Sequence, residues 1–129
     1  MARVLIIDDE EFIRLTLREA LEADGHAVIT AANGDDGLRK FAVEACDVVI
    51  TDILMPEKEG IETIIELRKA RPDVRIVVIS GGARVNSLDF LEVAKKFGAA
   101  AALRKPFAMT ELCRVVNECL AKAPVSGRA

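Results

Sequence analysis

Short runs of apolar, mostly β-branched residues alternate along the chain with longer segments whose apolar positions recur every three or four residues. Runs of the first kind are typical of strands buried on both faces of a sheet, and segments of the second kind predict amphipathic helices. The apolar runs predict five strands, at Arg3–Ile7, His26–Ala31, Val48–Thr51, Arg75–Ile79 and Ala100–Arg104. The amphipathic segments predict five helices, at Glu11–Asp24, Asp35–Ala45, Gly60–Ala70, Ser87–Phe97 and Ala108–Ala121.

This alternation of strands and helices predicts an α/β fold, a single doubly wound parallel sheet with right-handed crossovers. We expect the flavodoxin-like strand order 2-1-3-4-5, in which the first and third strands are neighbours. The domain is expected to span residues 1–122. The remaining residues, 123–129, are mostly small or polar and predict a disordered tail.

Composition narrows the class of protein without naming a function. The chain has 129 residues, of which 51% are hydrophobic and 30% charged, as in one globular domain with a substantial core. The net charge of −3 and the lack of a basic stripe argue against nucleic-acid binding by this domain. No signal peptide or membrane-length apolar run is visible, so we expect a cytoplasmic protein without membrane contact. The three cysteines lack zinc-site spacing and are expected to be small apolar residues in a reducing compartment.

Polar residues follow four of the five predicted strands, each directly at the carboxyl end. They are Asp8 and Asp9, Asp52, Ser80 and Lys105. Because the carboxyl ends of parallel strands meet at one edge of the sheet, these groups are expected to share one small cleft. The sequence therefore predicts three carboxylates, a hydroxyl and an ammonium group around a common point.

Three neighbouring carboxylates predict a bound cation or the uptake of protons, because two such charges about 4 Å apart repel by roughly 4 kcal/mol at an effective dielectric constant near 20. Mg²⁺ suits oxygen ligands and keeps several waters, so Asp9 and Asp52 are candidate direct ligands and Asp8 a ligand through a bound water. Asp52 is the candidate nucleophile toward phosphorus, because carboxylates can form acyl phosphates. Lys105 would neutralise charge on the transferred group, and Ser80 would donate a hydrogen bond to it.

Each of these residues also has an ordinary structural interpretation. Asp8 and Asp9 could cap the first helix, Asp52 and Ser80 could be turn residues, and Lys105 could be a solvated lysine at a strand end. The coincidence of all these groups at strand ends favours a phosphoryl-accepting cleft. The single histidine, His26, is expected outside the cleft as a surface or half-buried residue.

Residues 3–121 resemble the receiver domain of bacterial two-component response regulators. The resemblance rests on four strings that match together: Val4–Glu10, Thr51–Pro56 with Gly60, Ile79–Gly82, and Gly98-Ala99 with Leu103–Phe107. It implies that Asp52 is the phosphoacceptor and that Asp8 and Asp9 bind Mg²⁺, with the backbone carbonyl of Leu54 as a further ligand. It also implies that Ser80 is the switch hydroxyl, that Lys105 is the family's lysine, and that the Lys105–Pro106 bond is cis.

The resemblance implies a switch protein rather than an enzyme with turnover. A histidine kinase or histidine phosphotransfer protein would phosphorylate Asp52. The change would then reach the loop after the fourth strand and the face formed by the fourth helix, fifth strand and fifth helix, where a downstream protein binds. A monomer or weak dimer is expected. The chain departs from the family at Ala102, where the family usually carries Tyr or Phe.

Three other interpretations compete with this one. A receiver-like scaffold that is not phosphorylated would explain Ala102, although the full set of polar residues weighs against it. An aspartate-nucleophile phosphohydrolase would need a second carboxylate two residues after the nucleophile, where Leu54 stands. A flavodoxin-like cofactor binder would need a hydroxyl- and glycine-rich loop after the first strand, where the chain has Asp8-Asp9-Glu10.

Overall fold

The computed structural model describes residues 2–44, 46–52, 59–80, 96 and 98–121. Five strands lie in these ranges: β1 (Arg3–Ile7), β2 (Ala27–Ala31), β3 (Val48–Asp52), β4 (Arg75–Ser80) and β5 (Ala101–Arg104). Four helices also lie there: α1 (Glu11–Ala23), α2 (Gly34–Val43) and α3 (Glu59–Ala70), which connect the first four strands in turn, and α4 (Met109–Ala121), which follows β5. Each begins and ends within two residues of its predicted bounds. The predicted helix 87–97, apart from Lys96 and its helical backbone, and the predicted tail lie outside the described residues.

The five strands form one parallel sheet in the order β2-β1-β3-β4-β5, which confirms the predicted fold class and topology. The register sets which residues share a level at the carboxyl edge. Ile7 of β1 pairs with Thr51 of β3, and Asp52 pairs with Ile79 of β4. Ser80 in turn pairs with Arg104 of β5. The residues at these strand ends therefore lie along a single edge of the sheet. They are the residues that follow β1 and β5 and the last residues of β3 and β4.

Each face of the sheet is covered by its own apolar core, which is why the strands are apolar throughout. Alternate residues of β1 point to opposite faces, so Leu5 and Ile7 join one core while Val4 and Ile6 join the other. The first core includes residues of α2 and α3, namely Phe41, Ile64 and Leu67. The second includes residues of α1 and α4, namely Leu17, Leu21, Leu112 and Val116. Burying each large aliphatic side chain contributes about 1.5–3 kcal/mol to folding.

The described part of the chain contains no helix that is both long and apolar enough to cross a membrane. The three cysteines, all of them among the described residues, form no disulfide. Cys46 and Cys119 are buried in the two cores, as the sequence predicted for small apolar residues. Burial raises the pKa of the Cys46 thiol to about 11, so it stays protonated and unreactive at neutral pH.

The expectation that His26 is a surface or half-buried side chain is wrong, because the residue is 8% exposed. Its Nδ1 accepts a hydrogen bond from the Ala2 amide at 3.2 Å, and its Nε2 lies 3.1 Å from the Asn117 side-chain oxygen. Since both ring nitrogens have partners, the imidazole can be buried at little cost. It precedes β2 and so lies at the amino edge of the sheet, away from the predicted cleft.

Helix α2 approaches β1 closely, and Gly37 is the residue that permits this. A Cβ atom at Gly37 would lie 2.4 Å from Cδ1 and 2.8 Å from Cγ1 of Ile7. Ile7 is fully buried and precedes the first polar residue of the cleft, so it has little freedom to move aside. The glycine that interrupts the helical pattern of the sequence therefore serves packing against the strand.

Substitution of Gly37 by Ala is expected to destabilise the protein, although alanine favours helix formation over glycine by about 0.5–1 kcal/mol. Overpacking against Ile7 costs about 1–3 kcal/mol, which exceeds that gain. Chemical denaturation should show a net loss of roughly 1–2 kcal/mol in the free energy of unfolding. A stabilised Gly37→Ala protein would show that α2 can shift away from β1 without loss.

Candidate functional site: an acidic cleft at the carboxyl edge of the sheet

The sheet brings the three predicted aspartates into one cluster. Asp8 follows β1, and Asp52 ends the neighbouring strand β3 at the same level. One carboxylate oxygen from each of Asp8, Asp9 and Asp52 lies within 4.8 Å of the other two. Asp8 and Asp52 are buried, with 1% and 9% of their surfaces exposed, while Asp9 faces solvent. Two of the three negative charges are thus largely removed from water.

Asp8 is held by the turn between β1 and α1. Its Oδ1 accepts a hydrogen bond from the Glu10 amide at 2.9 Å. The helix itself begins after Glu10, which makes no side-chain capping bond, so neither Asp8 nor Asp9 is the N-cap residue. The second carboxylate oxygen, Asp8 Oδ2, is buried and has no hydrogen-bond partner among the residues that the structure describes. A buried carboxylate oxygen without a partner calls for a cation or a proton.

The electrostatics of Asp8 agree with this geometry. Several effects together raise the pKa of the Asp8 carboxyl from 3.8 to about 6. Burial is the largest of them, and the charges of Asp52 and Asp9 also raise the pKa, while the Glu10 amide and the Lys105 ammonium lower it. The charged form of Asp8 is therefore costly near neutral pH when no cation neutralises it. A divalent cation would reverse this cost, because it favours the ionised carboxylate.

Lys105 enters the cleft from the other side. The Lys105–Pro106 peptide bond is cis, in agreement with the sequence-based expectation. Lys105 Nζ lies 3.6 Å from Asp52 Oδ2, and the two side chains are only 25% and 11% exposed. The ammonium is therefore paired with the central carboxylate, in contrast to a solvated lysine at the end of a strand.

Two predicted site residues are placed only in part. Ser80 ends β4 and pairs with Arg104, so its backbone lies at the edge beside β5, while its side chain is outside the described residues. Leu54 lies wholly outside them. Ala102 is half-buried against the core on the α3 side of the sheet, where its methyl group leaves the position without an aromatic ring.

Arg14 was not singled out by the sequence analysis, yet it contacts the cleft. Its Nη1 donates a hydrogen bond to the backbone carbonyl of Asp8 at 2.7 Å. The only sequence signal is its place in the first turns of a helix that starts three residues after Asp8, from which a long side chain can reach back to the strand end.

The residues present fit a hard divalent cation such as Mg²⁺. Within the described part of the chain the cluster offers three carboxylates and no nitrogen or sulfur ligand, and Mg²⁺ prefers oxygen. The partnerless Asp8 Oδ2 supplies an independent observation in favour of a ligand there. Lys105 adds a positive charge beside Asp52, which suits an anionic group brought to the same point.

Comparison with known proteins identifies the family. The family model for the response regulator receiver domain matches residues 4–117 of the chain. The DNA-binding transcriptional regulator NtrC of Azospirillum brasilense is 39% identical over 92% of this chain, which spans 24% of the length of that relative. The chemotaxis protein CheY of Thermotoga maritima is 34% identical, over 90% of this chain and 95% of its own length.

Solved structures agree with the sequence comparisons. A response regulator receiver domain protein from Clostridium thermocellum has a TM-score of 0.85 and 35% identity, covering 93% of this chain and 94% of its own. This chain therefore belongs to the response regulator receiver domain family, the phospho-accepting domains of two-component signalling.

The cost of the Asp8 charge leads to a prediction about stability. The folded pKa of about 6 is higher than the unfolded value, so the folded protein loses stability as the pH rises from about 4 to 6. The full shift corresponds to about 3 kcal/mol. Without Mg²⁺ at pH 7.5, Asp8→Asn should raise the free energy of unfolding by about 1–3 kcal/mol, because its amide can donate to the neighbouring carboxylates.

Denaturation of both proteins between pH 4 and pH 7.5 measures this effect. The advantage of Asp8→Asn should shrink as the pH falls through about 6, because wild-type Asp8 then becomes protonated. Asp73→Asn, in the turn before β4, serves as a matched control away from the cleft. If Asp8→Asn were more stable than the wild type by the same amount at every pH, or less stable at pH 7.5, the charge on Asp8 would not be what destabilises the folded protein.

Proposed function

We propose that Asp52 accepts a phosphoryl group in a Mg²⁺-dependent reaction. The observation that supports this proposal most strongly is the position of the Asp52 carboxylate between two acidic side chains and an ammonium group. One side meets the acidic pair Asp8 and Asp9, within 4.8 Å, and the other meets Lys105 Nζ at 3.6 Å. Asp52 is thus the one carboxylate of the cluster that faces both a candidate cation site and a fixed ammonium.

In the proposed transfer, an oxygen of the Asp52 carboxylate forms a bond to phosphorus. The bond between phosphorus and the donor atom, a histidine nitrogen in a histidine kinase or histidine phosphotransfer protein, breaks with its electron pair going to nitrogen. Lys105 offsets the negative charge near the transferred oxygens. Asp8, Asp9 and Asp52, with the Leu54 carbonyl, would hold Mg²⁺, which when bound would neutralise phosphoryl charge.

Phosphorylation would then act as a switch. It replaces one carboxylate charge by about two charges and new acceptor oxygens. The Ser80 hydroxyl would donate to one of these oxygens and draw the end of β4 toward Asp52. The changed edge beside β5 and the residues after β4 would bind a downstream protein. The chain would be cytoplasmic and act as a monomer or weak dimer. The reaction modifies the protein itself, without turnover of an external substrate.

The relatives limit how far this proposal extends. NtrC is a DNA-binding transcriptional regulator and CheY a chemotaxis protein, and this chain matches 24% of the length of the first and 95% of the length of the second. The proposal therefore covers acceptance of the phosphoryl group and the switch. A scaffold without phosphorylation is the second interpretation, and Ala102 is the observation that favours it.

Intact-protein mass after incubation with Mg²⁺ and phosphoramidate tests the proposal. The wild type should gain one phosphoryl group, because Asp52 is the nucleophile. Asp52→Asn should gain none, and Asp73→Asn should behave as the wild type. Addition of excess EDTA should suppress the gain.

Three outcomes are distinguishable in this experiment. Equal gains in the wild type and Asp52→Asn would move the acceptor to another residue. A gain that survives EDTA would contradict the role of the cation. No gain from phosphoramidate or from a phosphorylated histidine phosphotransfer protein would favour the scaffold.

A further inference from the structure

Arg14 makes an unusual contact for an arginine beside an acidic cluster. The residue is half-buried, and its guanidinium donates to a neutral acceptor, the Asp8 carbonyl, at 2.7 Å. Among the described residues it has no carboxylate partner within 4.0 Å. Its partner is therefore the backbone at the end of β1.

This hydrogen bond completes the attachment of Asp8 to three parts of the fold. The Asp8 amide donates to the Ala31 carbonyl at 3.1 Å, which ties it to β2. Asp8 Oδ1 accepts from the Glu10 amide at 2.9 Å, within the turn. The Arg14 contact ties the Asp8 carbonyl to α1. Only Oδ2 is left without a partner among these groups.

The carbonyl of Asp8 and the amide of Asp9 belong to one planar peptide unit. Fixing that carbonyl fixes the plane from which the Asp9 side chain departs. The orientation of Asp9 toward Asp8 and Asp52 thus depends on where Arg14 holds the unit. A charged donor makes this a strong hydrogen bond.

We propose that Arg14 is a positioning residue for the cation site, acting through the Asp8–Asp9 peptide unit. This inference rests on the proposed Mg²⁺-dependent function. The charge of Arg14 and its positioning of the ligands have opposite effects on Mg²⁺ affinity, which makes the proposal testable. As a cation, Arg14 repels Mg²⁺, so loss of its charge alone would tighten binding. As a positioning residue it preorganises the ligands, so its loss weakens binding.

The experiment compares Arg14→Gln, Arg14→Lys and the wild type in Mg²⁺ titrations followed by amide NMR shifts. Arg18→Gln is the matched control: it removes the same charge from the same helix, at a side chain that is 46% exposed and pairs with Glu22 at 3.0 Å. Arg14→Gln should bind Mg²⁺ about 10-fold more weakly, as for the loss of other contacts that orient metal ligands. Arg14→Lys should recover part of the affinity, and Arg18→Gln should match the wild type.

A second measurement needs no metal. In the metal-free protein, Arg14→Gln should shift the Asp9 amide resonance and speed hydrogen exchange of the Glu10 amide, which donates to Asp8. Arg18→Gln should do neither. Thermal unfolding of each variant shows whether the fold itself is retained.

Tighter Mg²⁺ binding in Arg14→Gln would overturn the proposal, because it would reduce Arg14 to a repelling charge. Unchanged affinity with unchanged Asp9 and Glu10 amides would also overturn it, while leaving the proposed function intact. If the wild type binds no Mg²⁺, the proposed function fails, and the metal-free measurement alone decides whether Arg14 positions the peptide unit.

Discussion

The register between β1 and β3 is the constraint on which the cleft depends. It places Asp8 and Asp52 side by side at a buried edge, where the charge of Asp52 opposes ionisation of Asp8. Two apolar cores fix that register, because a slip by one residue would turn every side chain of β1 to the opposite face. The folding energy of the cores thus holds the carboxylates in an arrangement that they would not adopt by themselves.

The free-energy cost of burying these charges is what favours a cation in the cleft. A buried carboxylate with a free oxygen and a raised pKa gains more from a cation than a solvated one does. The neighbouring elements hold the arrangement at several points. Gly37 lets α2 press on the end of β1, Arg14 ties the Asp8 carbonyl to α1, and Lys105 balances Asp52.

Much of the fold was predictable because hydrophobic periodicity reflects burial directly. Apolar runs marked strands covered on both faces, and polar residues at their ends marked the cleft. Contacts between residues far apart in the chain were harder to predict from the sequence pattern. Nothing in the pattern showed that Gly37 meets Ile7 or that His26 is buried between Ala2 and Asn117. Arg14 was missed because a helical arginine resembles any solvated one until its acceptor is known.

The central claim is that Asp52 forms the acyl phosphate, and locating the bond chemically tests it most directly. Reduction of the phosphorylated protein with borohydride converts an aspartyl phosphate to homoserine, and peptide mass spectrometry then identifies the residue. The account predicts homoserine at position 52 and unchanged aspartates at positions 8 and 9. Homoserine at position 8 or 9, or phosphate that survives reduction on another side chain, would contradict it.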